Sequence, residues 1–144
     1  MARTLATSAA VVSVLALLGT AAPALAAGNL AAGGDEIELK IDTADLKFSQ
    51  DEFDLETGKY YRLTITSDGG DELKFVAPDL WRNVWINTVS IEDTSIEPAG
   101  LQSIDFGGEE SSVVVAFVPL RPGVYAFWSP GYENRGLKGK FVVK

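Results

Sequence analysis

The reactive inventory of this chain is short. It has no His and no Cys, and its one Met is the first residue. Without imidazole or thiol it lacks the commonest general base and the strongest nucleophile. Ser and Lys are present, but no spacing pairs them, so the chain reads as a non-enzyme. What remains is carboxylate, aromatic and guanidinium chemistry. The turn "SDGGDE" places Asp68, Asp71 and Glu72 within five residues. Hard cations such as Ca²⁺, and Mn²⁺ or iron in oxygen-rich sites, take carboxylate and carbonyl oxygens. This turn is therefore the candidate cation site, with solvated acids as the plainer explanation. Asp51, Glu52 and Asp54 form a second acidic group, and Glu92, Asp93 and Glu97 a third. None has the alternating pattern of a Ca²⁺-binding EF-hand loop. The glycines of "SDGGDE" are not followed by the Lys a phosphate loop needs.

The second set of candidates is aromatic. Trp81, Arg82, Trp85, Trp128, Tyr132 and Arg135 are the residue types favoured at the centres of protein interfaces. Trp81, Arg82 and Trp85 lie in "PDLWRNVWIN", Trp128 directly precedes "SPGYENRGLKG", and Tyr132 and Arg135 lie within it. The competing reading is that these rings fill the core, since large aromatics dominate both settings.

Strands must position these residues. "EIELKI" alternates Ile37, Leu39 and Ile41, and "YYRLTIT" alternates Tyr61, Leu63 and Ile65. "LKF" (46–48), "FDL" (53–55), "LKFV" (73–76), "SSVVVAFV" (111–118), "GVYAFW" (123–128) and "GKFVVK" (139–144) complete the set. Thr57-Gly58, Asp68-Gly69-Gly70, Gly107-Gly108 and Arg121-Pro122-Gly123 supply the turns. Short alternating strands at this spacing predict an all-β sandwich of about seven or eight strands. Pro78 to Asn87 has room for one helical turn, and nothing else is helical. Phe48, Phe53, Phe75, Phe117, Tyr125 and Phe141 are the expected core, each stabilising by roughly 1.5–3 kcal/mol when buried.

The N-terminus reads as an export signal. Arg3 precedes an apolar run from Leu5 to Gly19, and Ala24-Leu25-Ala26 fits the small-x-small cleavage rule. Spanning a bilayer takes roughly 20 apolar residues, more than this run supplies. The expected organisation is a signal peptide over 1–26, a flexible linker over 27–35 and one domain over 36–144. Cleavage leaves 118 residues with 11 basic and 20 acidic side chains, a charge of −9. That sign disfavours nucleic acid and anionic membrane surfaces. The expected location is periplasmic or secreted.

Three stretches resemble the cupredoxins, the Greek-key sandwich family of plastocyanin and azurin. "FSQDEFDLETGKYYRLTIT" resembles the opening strands. "LKFVAPDL" resembles the stretch that begins at the first His ligand of the family's copper. "VVVAFVPLRPGVYAFWSPGYENRGLKGKFVV" resembles the C-terminal hairpin and ligand loop, where members read Cys-Pro-Gly-His, three residues, Gly-Met, one residue, Gly. The resemblance is closest to secreted bacterial members, including those of periplasmic iron uptake. It implies that the ligand positions fall on Leu73, Ser129, Tyr132 and Leu137. Pro130, Gly131, Gly136 and Gly139 keep the loop's punctuation.

A His₂Cys copper site needs imidazole nitrogens and a thiolate, and this chain can supply neither. The sequence thus implies no type 1 copper and no cofactor, with a hard cation at Asp68, Asp71 and Glu72 as the alternative. The expected role is binding or supporting a partner protein of the cell envelope. The expected contact surface is the former ligand end, carrying Trp81, Arg82, Trp85, Trp128, Tyr132 and Arg135.

Overall fold

The computed structural model describes residues 33–144. The signal peptide over 1–26 and most of the linker lie outside the described residues. The expected linker boundary moves by one residue, because the first strand already starts at Asp35.

Two sheets enclose one core. In the first, order β2-β1-β4-β9-β6-β7, the strands are β1 (Asp35–Asp42), β2 (Lys47–Phe48), β4 (Tyr61–Ser67), β6 (Val84–Ile91), β7 (Thr94–Ile96) and β9 (Ser111–Pro119). In the second, order β3-β11-β10-β5-β8, they are β3 (Glu52–Leu55), β5 (Leu73–Val76), β8 (Ser103–Phe106), β10 (Gly123–Trp128) and β11 (Lys138–Val143). β1 runs parallel to β4, and β3 parallel to β11; the other pairs are antiparallel. A single helical turn, α1 (Pro78–Trp81), carries the chain from the second sheet to the first.

Alternation decides which side chains go inside. Leu39 and Ile41, then Tyr61, Leu63 and Ile65, turn into the core as their spacing predicts. All six expected core aromatics are buried, and Phe127 joins them with no exposed surface. Its ring centroid lies 5.3 Å from Phe48, 5.6 Å from Phe75 and 4.9 Å from Phe141. Among the described residues the core runs from Leu39 to Val143.

Three of the eleven strands among the described residues were not expected. In β6, Val84 and Ile86 face inward, but the next inward residue is Val89. The register with β9 slips between Ile86 and Thr88, which makes Asn87 a bulge. Its side-chain amide donates to the Tyr60 hydroxyl (2.9 Å). The extra residue breaks the period of two, which hides the strand from pattern reading. β7 has only exposed residues, and β8 shows just Ile104 and Phe106 as a buried pair.

The sandwich has two distinct ends. One gathers the β1–β2 turn, the Ser67–Glu72 turn, the β8–β9 turn and the Ser129–Leu137 loop. Gly70 N–H donates to the Gly108 carbonyl there (2.9 Å). This is the loop end. The other holds the β9–β10 turn, where Leu120 N–H donates to Asn83 O and Gly58 N–H to Pro119 O, both at 2.8 Å. This is the hairpin end. β9 spans nine residues between them, on the order of 25 Å at a strand's rise.

Candidate functional site

The loop after β10 is built by its own backbone. Ser129 N–H donates to Leu137 O (2.9 Å), which closes the loop at its base. Tyr132 N–H donates to Ser129 O (3.0 Å), and Arg135 N–H to Tyr132 O (2.9 Å), within a 3-10 turn over Glu133–Arg135. Gly131 and Gly136 have φ of +87° and +124°, where a Cβ is disfavoured. Gly139 answers a different need. A Cβ there would sit 2.3 Å from the Phe127 ring and 2.5 Å from Asp51 O. The glycines noted in the sequence are thus required by the turn and the core.

Three of the four candidate ligand positions meet in this loop. Ser129 and Leu137 are buried, and Tyr132 packs half-buried against the core. Leu73 is buried at the loop-end start of β5. The Ser129 hydroxyl has no hydrogen-bond partner among the described residues.

On the outer face of the second sheet, next to this loop, lies a groove of about 500 Å³. Trp128 and Ala126 of β10 form its apolar floor, and Lys138 and Lys140 of β11 one wall. Asp51, Glu52 and Glu133 complete it. Trp128 stands opposite Lys138 on one side and Val76 on the other. Lys140 pairs with Glu52 at 2.8 Å, and this hydrogen bond holds the ammonium above its usual pKa. Lys138 and Lys140 were not among the candidates, and Glu52 was named only within the second acidic group. Their strand alternation was legible, but their pairing with Trp128 depends on β3, β11 and β10 lying side by side.

The six aromatic and Arg candidates do not form one surface. Trp128, Tyr132 and Arg135 are at the loop end. Trp81 is buried against Phe75 and Phe117, with centroids 6.4 and 6.1 Å away. Trp85 sits opposite Val118, at the hairpin end, and exposed Arg82 bonds Asp79 nearby (2.9 Å). The expectation that Trp81 and Trp85 adjoin the loop is corrected by chain direction. β5 runs away from the loop end, so α1 and the start of β6 are delivered to the far end.

The acidic turn is not a gathered ligand set. The Asp68 carboxylate accepts the Thr43 N–H (3.0 Å), and the Thr43 hydroxyl donates to Gly69 O, which ties this turn to β1. Asp71 and Glu72 point into solvent. Among the described residues no three acidic side chains converge on one point. Glu52 and Asp54 instead pair outward with Lys140 and Lys144.

No family model matches the chain, and no curated protein does. Solved structures do. Reduced auracyanin from the photosynthetic bacterium Roseiflexus castenholzii superposes with a TM-score of 0.54 at 20% identity, over 76% of this chain and 96% of that one. The fold is that of a cupredoxin. The McoA multicopper oxidase of Aquifex aeolicus gives a TM-score of 0.60 at 9% identity, over 78% of this chain and 30% of its own. The copper-containing nitrite reductase of Thermus scotoductus gives 0.57 at 14%, over 80% and 32%. The chain thus spans about a third of those two enzymes.

Blue copper does not fit this chain. Leu73 and Leu137 offer no donor atom, and the remaining pair offers a hydroxyl and a phenol in place of thiolate and imidazole. The loop is shaped by its glycines and closed by its backbone, and Ser129 and Leu137 are packed inside it.

Proposed function

We propose that this cupredoxin-like domain is a non-catalytic accessory of the cell envelope, binding or supporting a partner protein without a type 1 copper centre. One observation carries the reading. The loop end has a glycine-shaped backbone, lacks the His and Cys donors of blue copper, and sets half-buried Trp128 in an open groove next to the loop that carries Tyr132. Trp and Tyr are favoured where two proteins meet, because they bury much area at low conformational cost. Lys138 and Glu133 at the rim give a partner both charge signs to pair with. The export signal read from the sequence supports an envelope location.

The test is capture from an envelope fraction. The wild-type chain retains a defined partner, and the W128A/Y132A double variant loses it while keeping its near-ultraviolet circular dichroism. Capture that survives in the folded double variant overturns the reading. A calorimetric titration with Ca²⁺, Mn²⁺, Fe²⁺ and Cu²⁺ at about 0.15 M salt, where surface attraction is screened, should show no saturable site. Stoichiometric micromolar binding would instead make the chain a metal-handling protein.

A further inference from the structure

The two sheets are unequal. The first has six strands and the second five, and both begin on the side where β2 leads into β3. Packed sheets keep their strands roughly aligned. Counted from that side, β8 lies across from β6, and no strand lies across from β7. Ile96 of β7 stands opposite buried Val89, and directly opposed residues share a face. Ile91 is two residues beyond Val89, on that same face. Ile91 and Ile96 therefore point to the interior side of the first sheet, yet they are 50% and 54% exposed. The Ser90 and Ser95 hydroxyls, bonded at 2.8 Å, take the outer face. The crossover over 97–102 turns Leu101 against the core and leaves both isoleucines uncovered.

β8 borders this shelf with a free edge. It pairs with β5 on one side, and among the described residues no strand pairs with the other. The uncovered space is thus one strand wide. It offers unpaired backbone groups along Ser103–Phe106 and apolar side chains facing them from β7. A strand laid against β8 at the usual spacing of about 4.8 Å would become the sixth of the second sheet and cover Ile91 and Ile96.

Charge selects which strand. From 83 to 120 the chain has six acids, Glu92, Asp93, Glu97, Asp105, Glu109 and Glu110, and no Lys or Arg. β6 has no charged residue at all. Lys74 is the one base on β5 or β8, and Asp105 pairs with it at 3.3 Å. Asp71 and Glu72, just before β5, add negative charge. Arg82 and Arg121 belong to the hairpin end, where Asp79 bonds the first (2.9 Å). The other bases of the described residues are on β1, β2, β4 and β11 or next to them, and none of those strands borders β7 or β8. The shelf therefore has an anionic rim, with Glu92 and Asp93 at one end of β7 and Glu97 at the other. All three are exposed and in no ion pair among the described residues. A second copy would bring the same acids against them, so this charge guards the edge against self-pairing and favours a basic strand.

We infer that the space beside β8 is a docking slot for an extended segment of a partner protein, apolar at alternate positions and basic at its ends. The segment adds to the second sheet through its backbone and sets its apolar side chains on Ile91 and Ile96. Its Lys or Arg residues face Glu92 and Asp93 at one end and Glu97 at the other. Strand addition of this kind takes affinity from main-chain hydrogen bonds and specificity from alternate side chains. The inference goes beyond the Trp128 reading and does not rest on it. The groove lies over β10 and β11, and β5 separates those strands from β8.

The experiment uses the purified full chain and a labelled probe peptide, Lys-Lys-Val-Thr-Val-Thr-Val-Lys-Lys, at about 0.15 M salt so that diffuse attraction is screened. Saturable binding by fluorescence anisotropy is expected, with new hydrogen-exchange protection over 103–106. N-methylation of the five central residues keeps the peptide's charge and removes its main-chain donors, and should weaken binding at least tenfold. Glu in place of every Lys should do the same. I91T/I96T and E92Q/D93N/E97Q, changed only at exposed positions, should keep the near-ultraviolet circular dichroism and bind at least tenfold more weakly. W128A/Y132A should bind the peptide normally. Absence of saturable binding, equal binding of the N-methylated peptide, protection at the Trp128 groove in place of β8, or pairing of two copies along this edge in place of peptide binding would each overturn the inference.

Discussion

Replacing Gly139 by Ala tests whether a core contact, and not a ligand, fixed the glycine of the loop's last position. The new Cβ would lie 2.3 Å from the Phe127 ring edge. Carbons rest at about 3.5 Å, so the ring must retreat by roughly 1.2 Å. It has little room, since Phe48, Phe53, Phe75 and Phe141 all lie within 6.0 Å of its centroid. The second obstacle is Asp51 O at 2.5 Å, which accepts the Lys140 N–H at 2.8 Å and holds β3 to β11. Overpacking of this kind costs about 1–3 kcal/mol, and a weakened backbone hydrogen bond about 0.5–1.5. The φ of Gly139 is open to alanine, so lower unfolded-state entropy returns about 0.4–1. The net expectation is a loss of about 2–3 kcal/mol in urea unfolding, a midpoint shift of roughly 1 M if m is about 2 kcal/mol/M. In a Phe127→Leu background the same change should cost under about 1 kcal/mol, since the smaller side chain yields. A loss below about 0.5 kcal/mol for G139A in the wild type, or no coupling to Phe127, would refute the steric account.

Two further outcomes follow from the same core and its charges. Ser129→Ala removes a buried hydroxyl with no partner and should be neutral or stabilising by up to about 1 kcal/mol. Ser67→Ala removes the buried acceptor of the Gly69 N–H (3.3 Å) and should destabilise by about 1 kcal/mol; paired thermal melts compare the two, and a clear loss for S129A would mean the hydroxyl is bonded. Stability should be flat from about pH 6 to 9, because the chain has no His. It should fall above about pH 10. Burial, partly opposed by the Glu56 N–H, raises the Tyr61 pKa above its usual 10.0, and hydrogen bonds to Asp35 and Glu52 raise those of Lys59 and Lys140 above 10.5. A raised folded-state pKa gives stability that is complete below the unfolded value and lost as pH climbs through the folded one. A stability transition near neutrality in a pH series of urea melts would contradict this.

The sequence by itself settled what depends on local chemistry and on period. Alternating Leu39 and Ile41, or Tyr61, Leu63 and Ile65, allow only one face inward, so the sandwich and its aromatic core were legible. The absence of His and Cys excluded blue copper before any geometry was known, because no arrangement of the remaining donors reproduces a thiolate and two imidazoles. The glycine spacing of the loop could be read as well, though its cause could not. That Gly139 yields space to Phe127 is a contact between β11 and β10. Only the tertiary structure separated the aromatic candidates. Trp81, Trp85 and Trp128 look alike on paper, but the direction of β5 sends the first into the core and the second to the hairpin end, while β10 leaves the third at the loop. The bulge at Asn87 hid β6 for the same reason: an inserted residue is corrected by pairing with β9, and a pattern read along one strand does not contain its neighbour. The acidic turns had the right composition for a cation and the wrong convergence, since sequence proximity places carboxylates near one another without aiming them at one point.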